Sequence, residues 1–418
     1  MDAAVRKRVL GWCLYDWAIS AYNTVVGTFV FSVYFTRAVA PSEIEGTALW
    51  GDAQTVSGLL IAVLSPALGA IADRAGRRKP WLAGFTAATV VSTLCLWFVR
   101  PDPAFVLPAL ALIVVGNLVF ELAGTFYNAM LPQVAPPGHL GRVSGWGWGI
   151  GYFGGLMALV ACLVLLVQAE RPLWGLLDRS EQEHVRATSV LVGAWVALFA
   201  LPLFLMVPDR PGAGIPAGRA VAEGLAQLGR TLRAVGRDGN LVRWFLGSAF
   251  YRDGINTLTL FGGIFAAGAY GMGFEEILVF AIALNVAAGI GSLGFAWVDD
   301  RFGARRTILV ALAGLALCGL PVLLAADKRV FWAFALGLGF FFGPAQAAGR
   351  SMMARLSPRG LETEMFGLYA LSGRAVAFFG PFLFARATEA FQSQRAGMAT
   401  ILVLFVLGFV LVRAVREK

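Results

Sequence analysis

The chain has 418 residues, of which 58% are hydrophobic and 14% are charged, and its formal net charge is +9. Soluble domains carry about 25% charged residues. This composition, with a mean hydropathy of +0.72, therefore excludes a water-soluble globular protein and indicates a multi-pass membrane protein. The Lys and Arg residues cluster in short connections between apolar segments, as membrane insertion requires, so the net charge does not indicate nucleic-acid binding.

Twelve apolar segments are each long enough to cross a hydrocarbon core about 30 Å thick. In chain order they are predicted at residues 12–37, 48–72, 81–99, 104–131, 141–168, 188–207, 241–270, 274–298, 307–326, 330–350, 364–388 and 395–413. Each must be a helix, because lipid offers no hydrogen-bond partner to an open strand edge. The first segment begins like a signal peptide, but its length, the internal Asp16 and the following Pro41 indicate an uncleaved span.

The distribution of basic residues predicts the topology. With the N-terminus inside, 22 Lys and Arg residues fall in inner segments and 9 in outer ones, which places both termini on the cytoplasmic side of the inner membrane. One long polar connection contains apolar residues at the spacing of a helix lying on the membrane surface: Leu225, Leu228, Leu232 and Val235. We predict six-helix bundles at 1–207 and 241–418 joined by this linker at 208–240, and assign no function to the outer loop at 169–187.

A dense cluster of charge joins the second and third spans. Its residues Asp73-Arg74-Ala75-Gly76-Arg77-Arg78-Lys79 carry five charges in seven positions, which cannot lie in lipid. A degraded copy, Asp299-Asp300-Arg301-Phe302-Gly303-Ala304-Arg305-Arg306, follows the eighth span. We call these the first and second charged segments and predict that both form short loops on the inner surface. Their repetition indicates two related six-helix halves.

Two six-helix halves, a long inner connection and the pattern Asp73-Arg74-x-Gly76-Arg77-Arg78 resemble the major facilitator superfamily. The stretches at 12–22, 126–132, 141–145 and 343–348 further resemble the autophagy-related vacuolar amino-acid effluxer family and its bacterial relatives of unknown substrate. The first span departs from the commonest form of that family, because Ile19 stands where Asn is usual. The resemblance implies an all-α membrane protein with twelve transmembrane helices in two pseudo-symmetric bundles.

The resemblance also implies a gate. In the superfamily, the Asp of the first charged segment sits against the N-terminal end of the eleventh helix, here near Thr363 and Glu364, where a negative charge gains about 0.3–1 kcal/mol. The second segment would act in the same way on the fifth helix near Arg142. The implied latch residues are Asp73, Arg74, Gly76, Arg77, Asp300, Arg301 and Gly303. The alternative is that these charges only set the topology.

Polar groups inside the spans are the candidates for solute binding, because a charge at the bilayer centre costs about 2.5–3.5 kcal/mol on insertion scales. Polar stripes follow the first and fourth helices, both of which line the cavity in the resembled superfamily. Arg374 suits an anionic partner, either a solute carboxylate or Glu121. The predicted solute-binding residues are Asn23, Asn117, Glu121, Asn256, Gln346 and Arg374. Helix-packing hydrogen bonds and an interhelical salt bridge are the alternatives.

Proton coupling would have to use a carboxylate, because His139 and His184 both lie outside the spans. The candidates are Asp16, Glu121 and Asp253, with structural ion pairs as the alternative for Asp16 and Asp253. The four cysteines lie singly in different apolar runs without metal-ligand spacing. We therefore expect no metal site and no cofactor.

With the resemblance, these patterns predict a transporter that moves a small polar organic solute by alternating access. Neutral amino acids in the direction of efflux are the leading cargo, and other organic solutes are the alternatives. The sequence has no HExxH, GxSxG or Walker A pattern, so neither an enzyme nor a direct ATP drive is expected. The alternative function is a membrane receptor, scaffold or lipid-handling protein of the same fold. The expected partners are the solute, the bilayer and protons, and the protein is expected to be a monomer.

Overall fold

The computed structural model describes residues 2–169 and 176–417, and within these ranges all regular structure is helical. Arg171 and Lys418, which enter the count of basic residues, lie outside the described residues. The α-helices are α1 Ala3–Ala21, α2 Phe31–Tyr34, α3 Glu43–Ala75, α4 Lys79–Cys95, α5 Val106–Ala129, α6 Leu131–Val134, α7 Leu140–Cys162, α8 Glu183–Met206, α9 Ala217–Arg237, α10 Gly239–Tyr270, α11 Phe274–Phe302, α12 Ala304–Leu324, α13 Lys328–Leu356, α14 Glu362–Val376, α15 Phe379–Phe391 and α16 Gln394–Arg413.

The predicted fold class is confirmed. Within the described residues, eleven helical stretches are long and apolar enough to cross a membrane. Helix α10 is not among these eleven, but its 32 residues are long enough to cross a membrane, so the structure is consistent with the predicted twelve spans. The chain is therefore a multi-pass membrane protein.

The first predicted span is not one continuous α-helix. After α1, a π-helical stretch at Tyr22–Phe29 leads to a bend at Val30, and a second π-helical stretch at Phe35–Val39 follows α2. The hydroxyl of Thr28 donates to the Asn23 carbonyl at 2.9 Å, and that of Ser32 donates to the Thr28 carbonyl at 2.8 Å. Such back-bonding bends helices, and hydropathy alone does not reveal it.

The eleventh predicted span, 364–388, is also interrupted, between α14 and α15. Pro381 explains the break, because it has no N–H for the Ala377 carbonyl and its ring would clash there in a continuous helix. At the third position of the new helix α15, the missing N–H costs nothing, since the first turn has no intrahelical acceptors.

Two compact units are present, and they are described separately. Unit 1 contains residues 2–64, 76–127, 150–169 and 176–213. Its core includes the stacked rings of Trp12 and Tyr127, whose centroids are 4.4 Å apart, and the indole of Trp12 donates to the Tyr127 carbonyl at 3.2 Å. The phenol of Tyr15, itself fully buried, bonds the Thr86 hydroxyl at 2.7 Å.

Unit 2 contains residues 65–75, 128–149 and 214–417. It therefore includes the C-terminal end of α3 and the start of α7, which the sequence assigned to the first half. The predicted boundaries at 207 and 241 stay a prediction. Within the linker, α9 packs on the end of α3 through Gly224, where an added Cβ would lie 2.8 Å from the Ile71 Cα. The predicted contact of α9 with the membrane surface stays a prediction, although Leu225 and Leu232 are exposed.

Candidate functional site

The first charged segment is mostly helical, since only residues 76–78 lie between α3 and α4. Asp73, in the last turn of α3, accepts hydrogen bonds from the Thr363 hydroxyl at 2.8 Å and from the Glu364 N–H at 2.9 Å. Both donors belong to the first turn of α14, where the helix dipole favours a negative charge. Asp73 thus caps α14, at the place that the family resemblance implies.

Glycines allow α3 and α14 to approach this closely. A Cβ added to Gly69 would lie 2.6 Å from the Thr363 carbonyl oxygen, and one added to Gly367 would lie 2.6 Å from the Pro66 Cα. Real Cβ atoms do not come so near to backbone atoms. The cap formed by Asp73 therefore depends on two residues that have no side chain.

The other residues of the first segment anchor it to different neighbours. Arg74 donates to the Gln227 side chain of α9 at 2.9 Å, and Arg77 is exposed. Gly76 has a φ of +84° and lies against the Pro211 carbonyl, a conformation that only glycine adopts easily. Lys79 donates through Nζ to the Phe204 and Val207 carbonyls at 2.6 and 2.7 Å, so it stabilises the C-terminal end of α8.

The second charged segment is almost entirely helical, and only Gly303, with a φ of +90°, separates α11 from α12. Asp300 accepts from the Arg142 N–H at 3.1 Å, and its second oxygen lies 3.3 Å from the Arg142 Nε. Arg301 is exposed, with its guanidinium 5.4 Å from the Phe302 ring centroid. Asp300 thus meets the start of α7, as expected by analogy with Asp73.

Sequence reasoning missed a neighbouring cluster around Arg355. Its Nη1 lies 2.6 Å from an oxygen of Asp299 and 3.0 Å from an oxygen of Glu417. Asp299 also accepts from the Ser351 hydroxyl. Glu417 in turn accepts from the Ala304 N–H at 2.9 Å and from the Arg305 N–H at 3.1 Å. The C-terminal end of the chain therefore caps α12 and joins the ion pairs of the second segment.

A matching cap in unit 1 was also missed. Asp209, which follows α8, accepts from the N–H groups of Arg78 and Lys79 at 3.2 and 3.3 Å, at the start of α4. Asp209 and Glu417 each follow the last span of a predicted half and each cap the helix that follows a charged segment. The only signal in the sequence was an acidic residue beside Arg after each of these spans.

The predicted residues of unit 1 lie on the first and fourth predicted spans. Asn117 accepts from the Tyr22 hydroxyl at 3.1 Å and donates to the Gln54 side chain at 2.6 Å. Glu121 is partly buried one turn further along α5, and Asn23 is exposed. Asp16, partly buried, lies beside Gly151 of α7, where an added Cβ would be 3.4 Å from the Asp16 Cβ. Tyr22 and Gln54, which sequence reasoning did not select, are the observed partners of Asn117.

The predicted residues of unit 2 lie on three helices. Asn256 and Arg374 are exposed, and Gln346 is partly buried. Arg374 belongs to the last turn of α14, just before the break in the eleventh span. Asp253 is 2% exposed and accepts from the Gly380 N–H at 2.7 Å. Its neighbour Arg252 instead donates to the Tyr369 carbonyl at 3.0 Å.

Arg350, a charge within a span that the predicted solute-binding residues did not include, makes several hydrogen bonds. It is 4% exposed and donates to the Ser144 hydroxyl at 3.0 Å, the Ser144 carbonyl at 2.7 Å and the Asn128 side chain at 3.2 Å. Its guanidinium also lies 5.6 Å from the Trp148 ring centroid. Charge-assisted bonds of this kind hold α13 to the start of α7. Among the described residues, no cluster of three metal-ligating side chains occurs.

Two family models match the chain. The model described as Vacuole effluxer Atg22 like matches residues 138–418, and the model described as Major Facilitator Superfamily matches residues 3–159. The uncharacterized MFS-type transporter YxiO of Bacillus subtilis (strain 168) is 28% identical over 417 residues, which cover 99% of this chain and 95% of that protein. Autophagy-related protein 22 of Coccidioides immitis (strain RS) is 23% identical over 434 residues, which cover 84% of this chain and 70% of that protein.

Solved structures show the same fold. The proton:xylose symporter XylE matches with a TM-score of 0.77 at 14% identity, over 99% of this chain and 96% of that one. The human organic anion transporter MFSD10 matches with a TM-score of 0.72 at 16% identity, over 99% of this chain and 100% of that one. At such identities the likeness shows the fold alone. With the family models, it confirms the resemblance identified in the sequence.

Proposed function

The chain belongs to the Atg22-like vacuole effluxer family of the major facilitator superfamily, and on this premise we propose that it exports a small polar organic solute by alternating access. Export is the proposed direction, because the matching family model describes vacuole effluxers. Neutral amino acids are the proposed cargo, following the family resemblance of the sequence. The proposed location is an inner membrane, with both termini in the cytoplasm, following the distribution of Lys and Arg.

The observation that carries this proposal is the cap of Asp73 on α14. Its two hydrogen bonds join segments that the sequence assigns to different halves, and similar bonds join Asp300 to the start of α7. Alternating access needs contacts that hold one side closed and can be given up when the halves rock. A cap of about 0.3–1 kcal/mol is weak enough to be broken in each cycle. Asp73 and Asp300 are therefore the proposed latch.

Solute binding is proposed at the polar residues within the spans: Asn23, Asn117, Glu121, Asn256, Gln346 and Arg374. The Tyr22–Asn117–Gln54 hydrogen bonds support a polar surface on the first, second and fourth predicted spans. Arg374 supplies a permanent positive charge suited to a carboxylate. Proton coupling is proposed at one of three carboxylates: Asp16, Glu121 or Asp253.

Flux of radiolabelled neutral amino acids in proteoliposomes tests the proposal. We expect time-dependent flux for the wild type and strongly reduced flux for Arg374→Ala and Glu121→Gln. Arg386→Ala is the matched control, because Arg386 is exposed and its described ion pair is local, with Glu389 of the same helix at 2.7 Å. Absence of flux for every amino acid in a folded, reconstituted wild type would overturn the proposed cargo. Full flux in both variants would overturn the proposed binding residues.

A further inference from the structure

The break in the eleventh span places the start of α15 beside a buried carboxyl group of α10. Gly380, the second residue of α15, donates its N–H to Oδ2 of Asp253 at 2.7 Å. The first N–H groups of a helix have no intrahelical acceptor. Asp253 therefore caps α15 from a neighbouring helix, and the cap exists only because Pro381 interrupts the span.

Two polar atoms at this cap have no hydrogen-bond partner among the described residues: Oδ1 of Asp253 and the hydroxyl oxygen of Thr257. The two residues are one helical turn apart on α10 and are 2% and 0% exposed. Both side chains lie against Gly380. A Cβ added to Gly380 would meet the Thr257 hydroxyl and would lie 3.0 Å from Asp253 Oδ2. Buried polar atoms without partners are rare and call for an explanation, such as a bound ion or water.

Among the described residues, Asp253 forms no ion pair. From α16, Leu404 and Phe405 pack against this region, at Gly380 and Gly254. On α10 itself, Arg252 is engaged with Tyr369. The remaining charged side chains of α10 and of α13 to α16 are Arg243 on α10, Lys328, Arg329, Arg350 and Arg355 on α13, Glu362, Glu364 and Arg374 on α14, Arg386 and Glu389 on α15, and Arg395 and Arg413 on α16. None of these forms a described ion pair with Asp253.

An ionised carboxylate buried with a single hydrogen bond is costly. A proton removes that cost and gives Oδ1 an O–H that can donate. No hydrogen bond joins Oδ1 to the Thr257 hydroxyl in this conformation, but Thr257 lies one helical turn away on α10, and rotation of its side chain would supply an acceptor. A metal ion does not fit as well, because hard cations take about six oxygen ligands or more and the two residues supply only Oδ1 and one hydroxyl oxygen. The proton is therefore the ion whose bonding needs match this pair.

We propose that Asp253 and Thr257 form a proton-binding site whose occupancy sets the strength of the cap on α15. With Asp253 ionised, the cap is charge-assisted and favoured by the helix dipole. With Asp253 protonated, both advantages are lost and the hinge between α14 and α15 loosens. This inference rests on the proposed transport function and selects Asp253 among the three candidate carboxylates.

Hydrogen exchange of the purified full-length protein, without solute, tests the hinge. After correction for the intrinsic pH dependence of exchange, we expect the segment around Gly380 to lose protection about tenfold from alkaline to acidic buffer, as a charge-assisted bond becomes a neutral one. Asp253→Asn should behave like the acidic form at every pH. Glu389→Gln, on the exposed face of the same helix α15, is the control and should keep the wild-type response.

Infrared difference spectra supply a second readout of the proton itself. We expect the carbonyl band of protonated carboxyl groups that appears on acidification to contain one component that is missing in Asp253→Asn and is shifted in frequency and in pH midpoint in Thr257→Val. A wild type whose protection does not depend on pH, or identical difference spectra for the wild type and Asp253→Asn, overturns the inference. If the protein transports amino acids but the exchange protection around Gly380 does not depend on pH, this inference alone is overturned. If the protection depends on pH but no amino acid is transported, only the proposed cargo is overturned.

Discussion

The two charged segments share a sequence pattern but make their contacts by different means. The first relies on backbone proximity, because Gly69 and Gly367 let α3 approach α14 until Asp73 reaches two donors of its first turn. The second relies on charge, because Asp300 pairs with Arg142 and Asp299 shares Arg355 with Glu417. Repetition of a motif thus shows where a contact lies but not which force maintains it. The first contact should be sensitive to side-chain volume and the second to the loss of a charge.

The largest effect is expected at the second segment, from Arg355→Met. Asp299 would be left buried at 3% side-chain exposure without its cation, and breaking a buried pair costs about 3–5 kcal/mol. The partial exposure of Arg355, 16%, places the expected loss at the lower end of that range. We expect a clear fall in Tm and recovery of much of it in the double variant Arg355→Met/Asp299→Asn. Equal Tm values for wild type and Arg355→Met would contradict the role of charge.

A smaller but distinct effect is expected at the first segment, from Gly69→Leu. The new side chain would meet the Thr363 backbone, and overpacking of this kind costs about 1–3 kcal/mol. Gly51→Leu on the same helix is the control, because no atom lies within 4 Å of its Cβ position. Thermal unfolding of both variants in detergent checks this expectation, which fails if they lose the same stability.

The positions of the individual membrane spans were predicted well, because the apolar runs that define them are local features of the sequence. Apolar runs fix which stretches enter the membrane, and the charged segments fix where the chain leaves it. The break at Ala377–Phe378 was missed although Pro381 is visible in the sequence, because prolines are tolerated in transmembrane helices when neighbours satisfy the freed groups. Here the neighbour is Asp253, which lies 127 residues away in the chain.

The caps by Asp209 and Glu417 were missed for a related reason. An acidic residue at a helix start is recognisable when it precedes the helix directly, as Asp238 does for α10. Glu417 caps a helix that begins 113 residues earlier, and no sequence rule connects the two. Likewise, Asn117 was selected from its helix periodicity, but its partner Gln54 lies on another span and could be found only in three dimensions.

The helix caps formed by Asp209 and Glu417 allow a further test, because Glu417 also pairs with Arg355. Glu417→Gln and Asp209→Asn each remove a charge from a helix N-terminus, for which about 0.3–1 kcal/mol is typical. The Glu417→Gln variant also loses the ion pair with Arg355. We therefore expect a larger fall in Tm for Glu417→Gln than for Asp209→Asn, and a fall that depends more strongly on salt concentration. Identical losses with identical salt dependence would show that the C-terminal cap is no different from its counterpart.

The smallest effect is expected on α9, outside both segments. The hydrogen bond from Arg219 lowers the pKa of Glu223, so this pair contributes stability above the unfolded pKa of Glu223 and loses it as pH falls through the folded value. Both residues are solvent-accessible, where ion pairs contribute little. We expect Arg219→Ala to leave Tm unchanged within error at neutral and acidic pH. A marked loss confined to neutral pH would show that α9 depends on this pair.

The attachment of the C-terminal end has a practical bearing on how the protein is handled. Asn240 bonds both the N–H and the carbonyl of Arg416, at 2.6 and 3.0 Å, and Arg305 bonds the Val415 carbonyl at 3.1 Å. A fluorescent reporter or purification tag fused directly behind residue 417 would disturb these bonds and, with them, the ion pair of Glu417 with Arg355. A flexible spacer between this stretch and the tag would leave the bonds undisturbed.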